Sequence, residues 1–441
     1  MNAKLTCAVV TLVGEGDPGA LDRCAVSVQA ATEYSSGRFG EIVHLRINDP
    51  GKTLGPVELR SLGLNQASEL GAEWVCFLEV DETLCQDAFE LVAPSLQAYD
   101  AVWGGICNRD STAARGKTDF ACQDFLRFFH LALHWEIGRT HFAKTAAAIA
   151  AASGESVTRS WYADYLLRLW QDAACLKTAQ PLSARYDGAF GLSDAEKARL
   201  ISYLTENPLF ISFDHRGRGI KLPYTGCNPT LERVQLRGGF YELEDLEYVG
   251  SRVSPGSTIV DVGANTGNHT VYFAVYLEPQ RVIPIEPNPE AVSALKSAIR
   301  ANGIDCVDPL GFEKAAGAAH GRATLKTQRR KQFGSVGLVA DDGGGVEVAP
   351  LDDLIDGPVD FIKIDVEAME LDVLMGARTI VDRDRPFIFI EVRDDNIPQF
   401  LKLIETLGYR IDRVFPDQSY ANYFISPLGR EGAMEPPRKG L

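Results

Sequence analysis

The stretch Ile259–Thr270 reads IVDVGANTGNHT. It is an apolar strand that carries an acid, Asp261, near its end and opens into a loop with Gly263 and Gly267. A carboxylate and a bare backbone at one strand end narrow the choice of ligand. The dinucleotide fingerprint GxGxxG seats a pyrophosphate on a helix N-terminus. Here the order is Asp261, Gly263, Asn265, Gly267, and the spacing differs. An acid also stands where a diphosphate would be repelled.

A cationic ligand without phosphate resolves the conflict, and S-adenosylmethionine is one, with a sulfonium and an α-amino group. In that reading Gly263 and Gly267 let the loop backbone approach the ligand. Asp261 holds the amino-acid part directly or through water. One strand on, VIPIEPNP places Glu286 at another strand end, with Asn288 just beyond. A carboxylate there accepts both ribose hydroxyls, as acids about 20 residues past the glycine loop do in nucleotide folds. The plainer alternative is a glycine turn with a helix cap at Asn265 and a solvated Glu286.

Outward from this stretch, the chain reads as two strand–helix blocks joined by a polar middle. The first runs LTCAVVTLVG, GALDRCAVSVQAATEY, GEIVHLRIND, VELRSLGLNQASELG, AEWVCFLEVDE, DAFELVAPSLQAY and DAVWGGICN, alternating strand and helix. Such alternation predicts a mostly parallel, doubly wound sheet. Residues 120–179 read as largely helical. LSDAEKARLISYLTEN predicts a connecting helix with Ser193 as N-cap ahead of Glu196. After a polar, glycine-rich stretch from Asp214 to Gly239, strands are expected at STIVDVG, RVIPIEP, CVDPLGFEKAAG, VDFIKIDVE and PFIFIEV.

The 441 residues exceed one ordinary core, so two or three domains are expected. A net charge of −16 argues against a nucleic-acid surface and a polybasic membrane anchor. Nine cysteines with no CxxC or CxxxC pair predict reduced thiols and no zinc site, hence a cytoplasmic protein. The apolar run in MNAKLTCAVVTLVGEG is too short and too early for a signal peptide, and no segment approaches a membrane span.

From Phe240 to Val392 the chain resembles the FkbM family of S-adenosylmethionine-dependent methyltransferases. The resemblance rests on GGFYELEDL, which contains Glu242, then IVDVGANTGNHT, PIEPNPEA, FEKAAGAAHGRATL, VEVAPLDDLI, VDFIKIDVEAMELDVLMGA and RPFIFIEV, in that order. The family reads Val-Glu-Gly-x-Glu after its fourth strand, whereas Ala368 and Met369 follow Glu367 here. The turn is expected to survive because a small residue is kept. The resemblance implies a Rossmann-like class I methyltransferase fold, an S-adenosylmethionine site that includes Glu242 and Asn288, and methyl transfer to a hydroxyl.

Such transfer needs alignment and a proton acceptor. Asp365 and Glu367, two apart on one predicted strand, and Glu391, ending the next, are the candidate catalytic acids. Glu370 lies just beyond, and Lys363 has the parity to pair with Asp365. The structural alternative is a salt-bridged strand end followed by a capped helix. Carboxylates clustered in this way also suit Mg²⁺. The basic run RRKQFGSVGL is a candidate contact for a phosphate or carboxylate on the substrate, or a solvated loop.

VELRSLGLNQASELGAEWVCFLEVDETL resembles the sugar-nucleotide-binding half of GT-A-type glycosyltransferases, and the likeness spans residues 4–186. Arg60 and Gly63 match the family's Arg-Asn-x-Gly helix, with Ser61 in place of Asn. Glu79, Val80 and Asp81 stand for its Asp-x-Asp motif, where Asp81 would hold Mg²⁺ or Mn²⁺ against a nucleotide sugar. In WYADYLLRLWQD, Asp164 matches the catalytic base and Ala163 replaces its acidic partner. The nucleotide-binding acids of the second strand are replaced by Asn48 and Asp49. His134, Arg139 and His141 are offered for a diphosphate.

The expected fold class is α/β with two doubly wound domains. Residues 1–190 form a GT-A-like domain, 191–215 a helical linker, 216–430 the methyltransferase domain and 431–441 a loose tail. The expected function is O-methylation of a sugar hydroxyl on a polysaccharide or glycolipid precursor. Two alternatives are a natural-product methyltransferase whose first domain docks or binds saccharide, and a non-catalytic sugar-binding scaffold.

Overall fold

Thr258–Val262 is a strand whose five residues are all buried. That is why the opening stretch reads as a near-continuous apolar run: it lies inside a parallel sheet. The computed structural model describes residues 4–13, 18–35, 37–49, 53–108, 122–134, 139–153, 161–185, 193–327 and 336–429. The chain divides into two compact α/β units, Met1–Glu206 and Asn207–Leu441.

The first unit has strands β1 (Leu5–Val13), β2 (Phe39–Asn48), β3 (Trp74–Phe77), β4 (Glu82–Leu84), β5 (Ala101–Asn108), β6 (His141–Lys144) and β7 (Cys175–Arg185). Their order is β2-β1-β3-β6-β5-β7-β4. Strand β1 is parallel to β2 and β3, but β6 runs antiparallel to β3 and β5. The sheet is therefore mixed, which corrects the mostly parallel expectation. The described part of residues 120–179 is largely helical, as expected, but one strand interrupts it. The four-residue strand HFAK sits between the helices Phe125–His134 and Thr145–Ala152, too short to show an alternation of its own. Cys7, Val9, Trp74, Phe89 and Phe142 belong to the core. Cys7, Cys24, Cys76, Cys122 and Cys175 are free and buried. The unit ends in the helix Asp194–Glu206. Ser193 Oγ accepts from the Glu196 amide at 3.3 Å, and Glu196 Oε2 accepts from the Ser193 amide at 2.8 Å, a reciprocal cap.

The second unit opens with the hairpin β8 (Leu209–His215) and β9 (Arg218–Tyr224), so the stretch expected to be a polar lead-in is partly sheet. Its further strands are β10 (Thr258–Val262), β11 (Arg281–Glu286), β12 (Gly311–Phe312), β13 (Lys314–Ala316), β14 (Gly321–Thr327), β15 (Val336–Ala340), β16 (Val346–Ala349), β17 (Phe361–Ile364), β18 (Phe387–Arg393), β19 (Tyr409–Pro416) and β20 (Tyr420–Pro427). The main sheet has the order β12-β11-β10-β17-β18-β20-β19, and a side sheet has the order β13-β16-β14-β15. In the main sheet β12, β11, β10, β17 and β18 pair in parallel, while β20 is antiparallel to β18 and β19.

The expected strand CVDPLGFEKAAG breaks into β12 in one sheet and β13 in the other, with Glu313 at φ +62 at the corner. From β10 the chain steps outward to β11; from β17 it steps the other way to β18. The ends of β10 and β17 thus flank the switch point where open α/β sheets bind ligands. Val260, Val262, Ile283, Ile362, Ile364 and Ile388 form the core beneath it. Among the described residues no helix is long and apolar enough to cross a membrane. The tail 431–441 and most of RRKQFGSVGL lie outside the described residues.

Candidate functional site

A cavity of about 590 Å³ opens at the carboxyl ends of β10, β11 and β17, lined in part by Gly263, Asn265, Glu286, Asp365, Glu367 and Glu391. Sequence reasoning reached these six. Gly263 has φ +78, and a Cβ there would lie 1.8 Å from the carbonyl oxygen of Asp365. Only glycine lets the β10 and β17 loops pass so closely. Gly267, at φ +98, caps the helix Asn268–Tyr276, and a Cβ on it would meet Leu295 at 2.7 Å. Its bareness serves helix packing and not ligand approach.

Asp261 is fully buried and does not line the cavity. Its Oδ2 accepts from Thr270 Oγ1 at 2.5 Å, and its Oδ1 lies 3.3 Å from Lys363 Nζ. That second contact is an ion pair without hydrogen-bond alignment. Lys363 sits in register beside Asp261 in the sheet, reaches Asp365 Oδ2 at 3.3 Å, and donates to the Gly263 carbonyl at 2.9 Å. Burial opposes its charge, but Asp365, Asp261 and Glu242 outweigh burial and raise its pKa. A direct hold of Asp261 on a ligand thus gives way to a buried salt bridge that fixes the loop.

Glu286 is buried but reaches the cavity wall. Its Oε2 accepts from the Asn265 amide and its Oε1 from the Asn288 amide, both at 2.9 Å. Burial raises its pKa to about 7 against the pull of those two amides. Asn265, at φ +50, accepts from Asn228 Nδ2 at 3.0 Å. The Asn288 side chain caps the helix Pro289–Ala301 by accepting from the Glu290 amide, and it does not line the cavity.

Strand β17 ends at Ile364, so Asp365 and Glu367 lie on the turn beyond it and not on the strand expected to carry both. Both still line the cavity, as does Glu391 from β18. Ala368 sits at φ +65, the left-handed conformation that explains the glycine expected there. Burial raises the pKa of Glu367, with Asp365 adding to it. Burial, then Asp365, Glu370, Glu242 and Glu367, raise that of Glu391 to about 9. Its protonated form is thereby favoured. Glu370 caps the turn by accepting from the Ala368 amide at 3.0 Å, and burial raises it to about 7.

The lining also includes residues that sequence reasoning passed over: Asn228, Tyr241, His269, Arg393 and Tyr420. His269 stood inside the opening stretch and Tyr241 beside Glu242, so both carried a positional signal. Tyr420 and its strand neighbour Asn422 gave none, because their strand was not recognised. Glu242 lines the cavity too; its oxygens face Asn422 Nδ2 at 3.1 Å and His269 Nε2 at 3.1 Å.

In the first unit, Arg60 and Glu79 form an ion pair at 2.8 Å. Glu79 and Asp81 lie between β3 and β4, and Asp164 is buried on the helix Trp161–Asp172. Arg139 pairs with Glu196 at 3.1 Å. His141 is buried, stacked on Trp103 and Phe77, and held near pKa 4 by burial, so it is a core residue and no phosphate contact. Asp49 accepts from the Leu54 amide at 2.6 Å.

The second unit is thus an open α/β sheet with a polar cavity at its switch point, the form of a class I transferase domain. Residues 261–411, within the second unit, match the family model of the methyltransferase FkbM domain. A search of curated proteins found no match. Similar solved structures include the ribosomal protein L11 methylase of Lactobacillus delbrueckii subsp. bulgaricus, at 18% identity over 43% of this chain and 80% of that one, with TM-score 0.29. M. jannaschii TYW2 in complex with AdoMet matches at 15% identity over 50% and 87%, TM-score 0.29. S. aureus TarS 1–349 matches at 11% identity over 41% and 60%, TM-score 0.31.

Proposed function

We propose that the second unit is an S-adenosylmethionine-dependent O-methyltransferase acting on a sugar hydroxyl of a polysaccharide or glycolipid precursor in the cytoplasm. The cavity residues suit that cofactor. The passage at Gly263 leaves bare backbone at the strand end, Glu286 presents a carboxylate braced by two amides, and Arg393 is the only lysine or arginine among the described lining residues. Bound there, S-adenosylmethionine supplies an electrophilic methyl group. Glu286 accepts from the ribose hydroxyls, and Lys363 keeps the Gly263 loop in place. Asp365 and Glu367 face the acceptor as candidate proton acceptors or hydroxyl partners, and protonated Glu391 donates to an acceptor oxygen.

The observation that carries this reading is the position of Glu286: a buried carboxylate at the end of the strand next to the glycine loop, on the cavity wall. Calorimetry with S-adenosylmethionine tests it. Replacing Glu286 by Ala should weaken binding by about 1.5–3 kcal/mol, the loss of charge-assisted hydrogen bonds. An unchanged dissociation constant rejects the ribose role. Transfer of labelled methyl to a panel of methyl glycosides tests the acceptor class.

For the first unit we propose a GT-A-type nucleotide-sugar site of reduced grip. The place of Glu79 and Asp81 in the turn between β3 and β4 supports this, with Asp81 as the acid offered to a divalent cation. Titration with UDP and GDP, with and without Mn²⁺, should give weak metal-dependent binding that Asp81→Ala abolishes. Binding of neither nucleotide would leave a platform that presents a glycan.

A further inference from the structure

Glu242 precedes the helix Leu243–Gly250 at φ +56, ψ +41. A residue with a Cβ holds that conformation only where its surroundings demand it, and such strain collects at functional sites. The demand is visible. Asn422 Nδ2 donates to Glu242 Oε1 at 3.1 Å and to Asp245 Oδ2 at 3.0 Å. The other oxygen, Oε2, lies 3.1 Å from His269 Nε2. Burial works to raise the Glu242 pKa, but His269, Asn422 and Lys363 outweigh it and leave it lowered, so the carboxylate stays charged.

The His269 side chain is 8% exposed, and the residue lines the cavity from the first turn of its helix, two residues past Gly267. The 3.1 Å approach of the carboxylate to Nε2 is an ion-pair contact without hydrogen-bond alignment, and its charge favours the N–H on that nitrogen. The lone pair is then left on Nδ1, the arrangement by which carboxylates set imidazole tautomers elsewhere. Among the described residues, the charged and titratable groups around Glu242 include Tyr241 beside it, Asp245 on the following helix, Lys363 on β17, Glu391 on β18 and Tyr420 on β20.

The cavity's acids serve this purpose less well. Asp365 is tied to Lys363 at 3.3 Å, and Glu286 accepts from the Asn265 and Asn288 amides. Burial and the surrounding carboxylates favour the protonated form of Glu391. Glu367 is the remaining competitor.

We infer that His269, positioned by Glu242, takes the hydroxyl proton of the acceptor during methyl transfer. This rests on the reading of the cavity as a methyltransferase site. The acceptor oxygen bonds to the methyl carbon as the carbon–sulfur bond breaks and its electron pair stays on sulfur. The hydroxyl proton passes to Nδ1. The positive charge that leaves sulfur reappears on the imidazolium, against the Glu242 carboxylate.

The full chain decides the matter in three measurements. Nitrogen-15 spectra, with His269 assigned through His269→Asn, should show the proton on Nε2 and the lone pair on Nδ1; Glu242→Gln should mix the two tautomers. Calorimetry should give His269→Asn an S-adenosylmethionine affinity within about threefold of the unaltered protein. On a methyl glycoside that the unaltered protein accepts, His269→Asn should lower kcat by ~10²–10⁴ and abolish the acidic limb of the pH profile, which Glu367→Gln should keep. The opposite tautomer, or a tenfold loss of cofactor affinity in His269→Asn, overturns the assignment, the latter by making His269 a cofactor holder. Full turnover in His269→Asn overturns it as well. If the unaltered protein accepts no glycoside, the sugar reading fails, while the tautomer and affinity measurements still decide the role of His269.

Discussion

Lys363 is a buried cation between two carboxylates, and one side chain thereby sets the geometry of the cavity's floor. Removing one partner of a buried ion pair leaves uncompensated charge, at a cost of about 3–5 kcal/mol. Lys363→Met should destabilise the second unit by that order in a urea melt, because Asp261 is fully buried. Adding Asp261→Asn should recover part of the loss; no recovery would mean that the Gly263 carbonyl, and not the charge, is what Lys363 serves. Ala368 offers the opposite sign. A left-handed alanine costs roughly 1–2 kcal/mol, and glycine gives back less than that in chain entropy. Ala368→Gly should therefore raise stability by about 0.5–1 kcal/mol in the same melt. Glu286 gives a pH effect. Its folded pKa is raised to about 7, so it is largely protonated at pH 6 and ionised at pH 8. An ionised carboxylate accepts from both ribose hydroxyls and a protonated one does not. Affinity for S-adenosylmethionine should rise between pH 6 and 8, and Glu286→Gln should flatten that rise; an equal slope in both assigns the effect to another group.

At the scale of elements, the tightest constraint is the crossing of the β10 and β17 loops at Gly263. The added Cβ would face backbone and not a flexible side chain, so nothing nearby can yield cheaply. Gly263→Ala should abolish cofactor binding and lower Tm, while Gly256→Ala, also left-handed but open around its Cβ, should cost only the backbone strain. What the sequence made legible follows the same logic. Strands β10, β11, β17 and β18 showed because burial on both faces demands continuous apolar runs. Ser193 with Glu196 showed because a capping box is local. Strands β14, β15 and β16 did not show, since a small side sheet with one exposed face admits residues such as Arg322, Lys326 and Glu347. The antiparallel β6 was hidden by its length of four residues. The roles of Asp261 and Gly267 were misread for a related reason. A motif reveals that a carboxylate and a glycine are needed, but only packing reveals that one faces Lys363 and the other Leu295.

At the scale of the molecule, each unit has its own sheet and core. Fragments 1–206 and 207–441 should each fold when expressed alone, with the second binding S-adenosylmethionine as the full chain does. A second fragment that stays unfolded would show that the first unit is required for its stability. Within the second unit, β20 is last of the sheet's strands in chain order yet lies between β18 and β19. It delivers Tyr420 to the cavity wall and Asn422 to Glu242. The glycine loop and Glu286, by contrast, leave the ribosome well over a hundred residues earlier. A nascent chain can thus raise its parallel strands and still lack the amide that holds Glu242. The pocket is completed late in translation, with the strand that closes the sheet, and a message cut short before Tyr420 yields a half-built one.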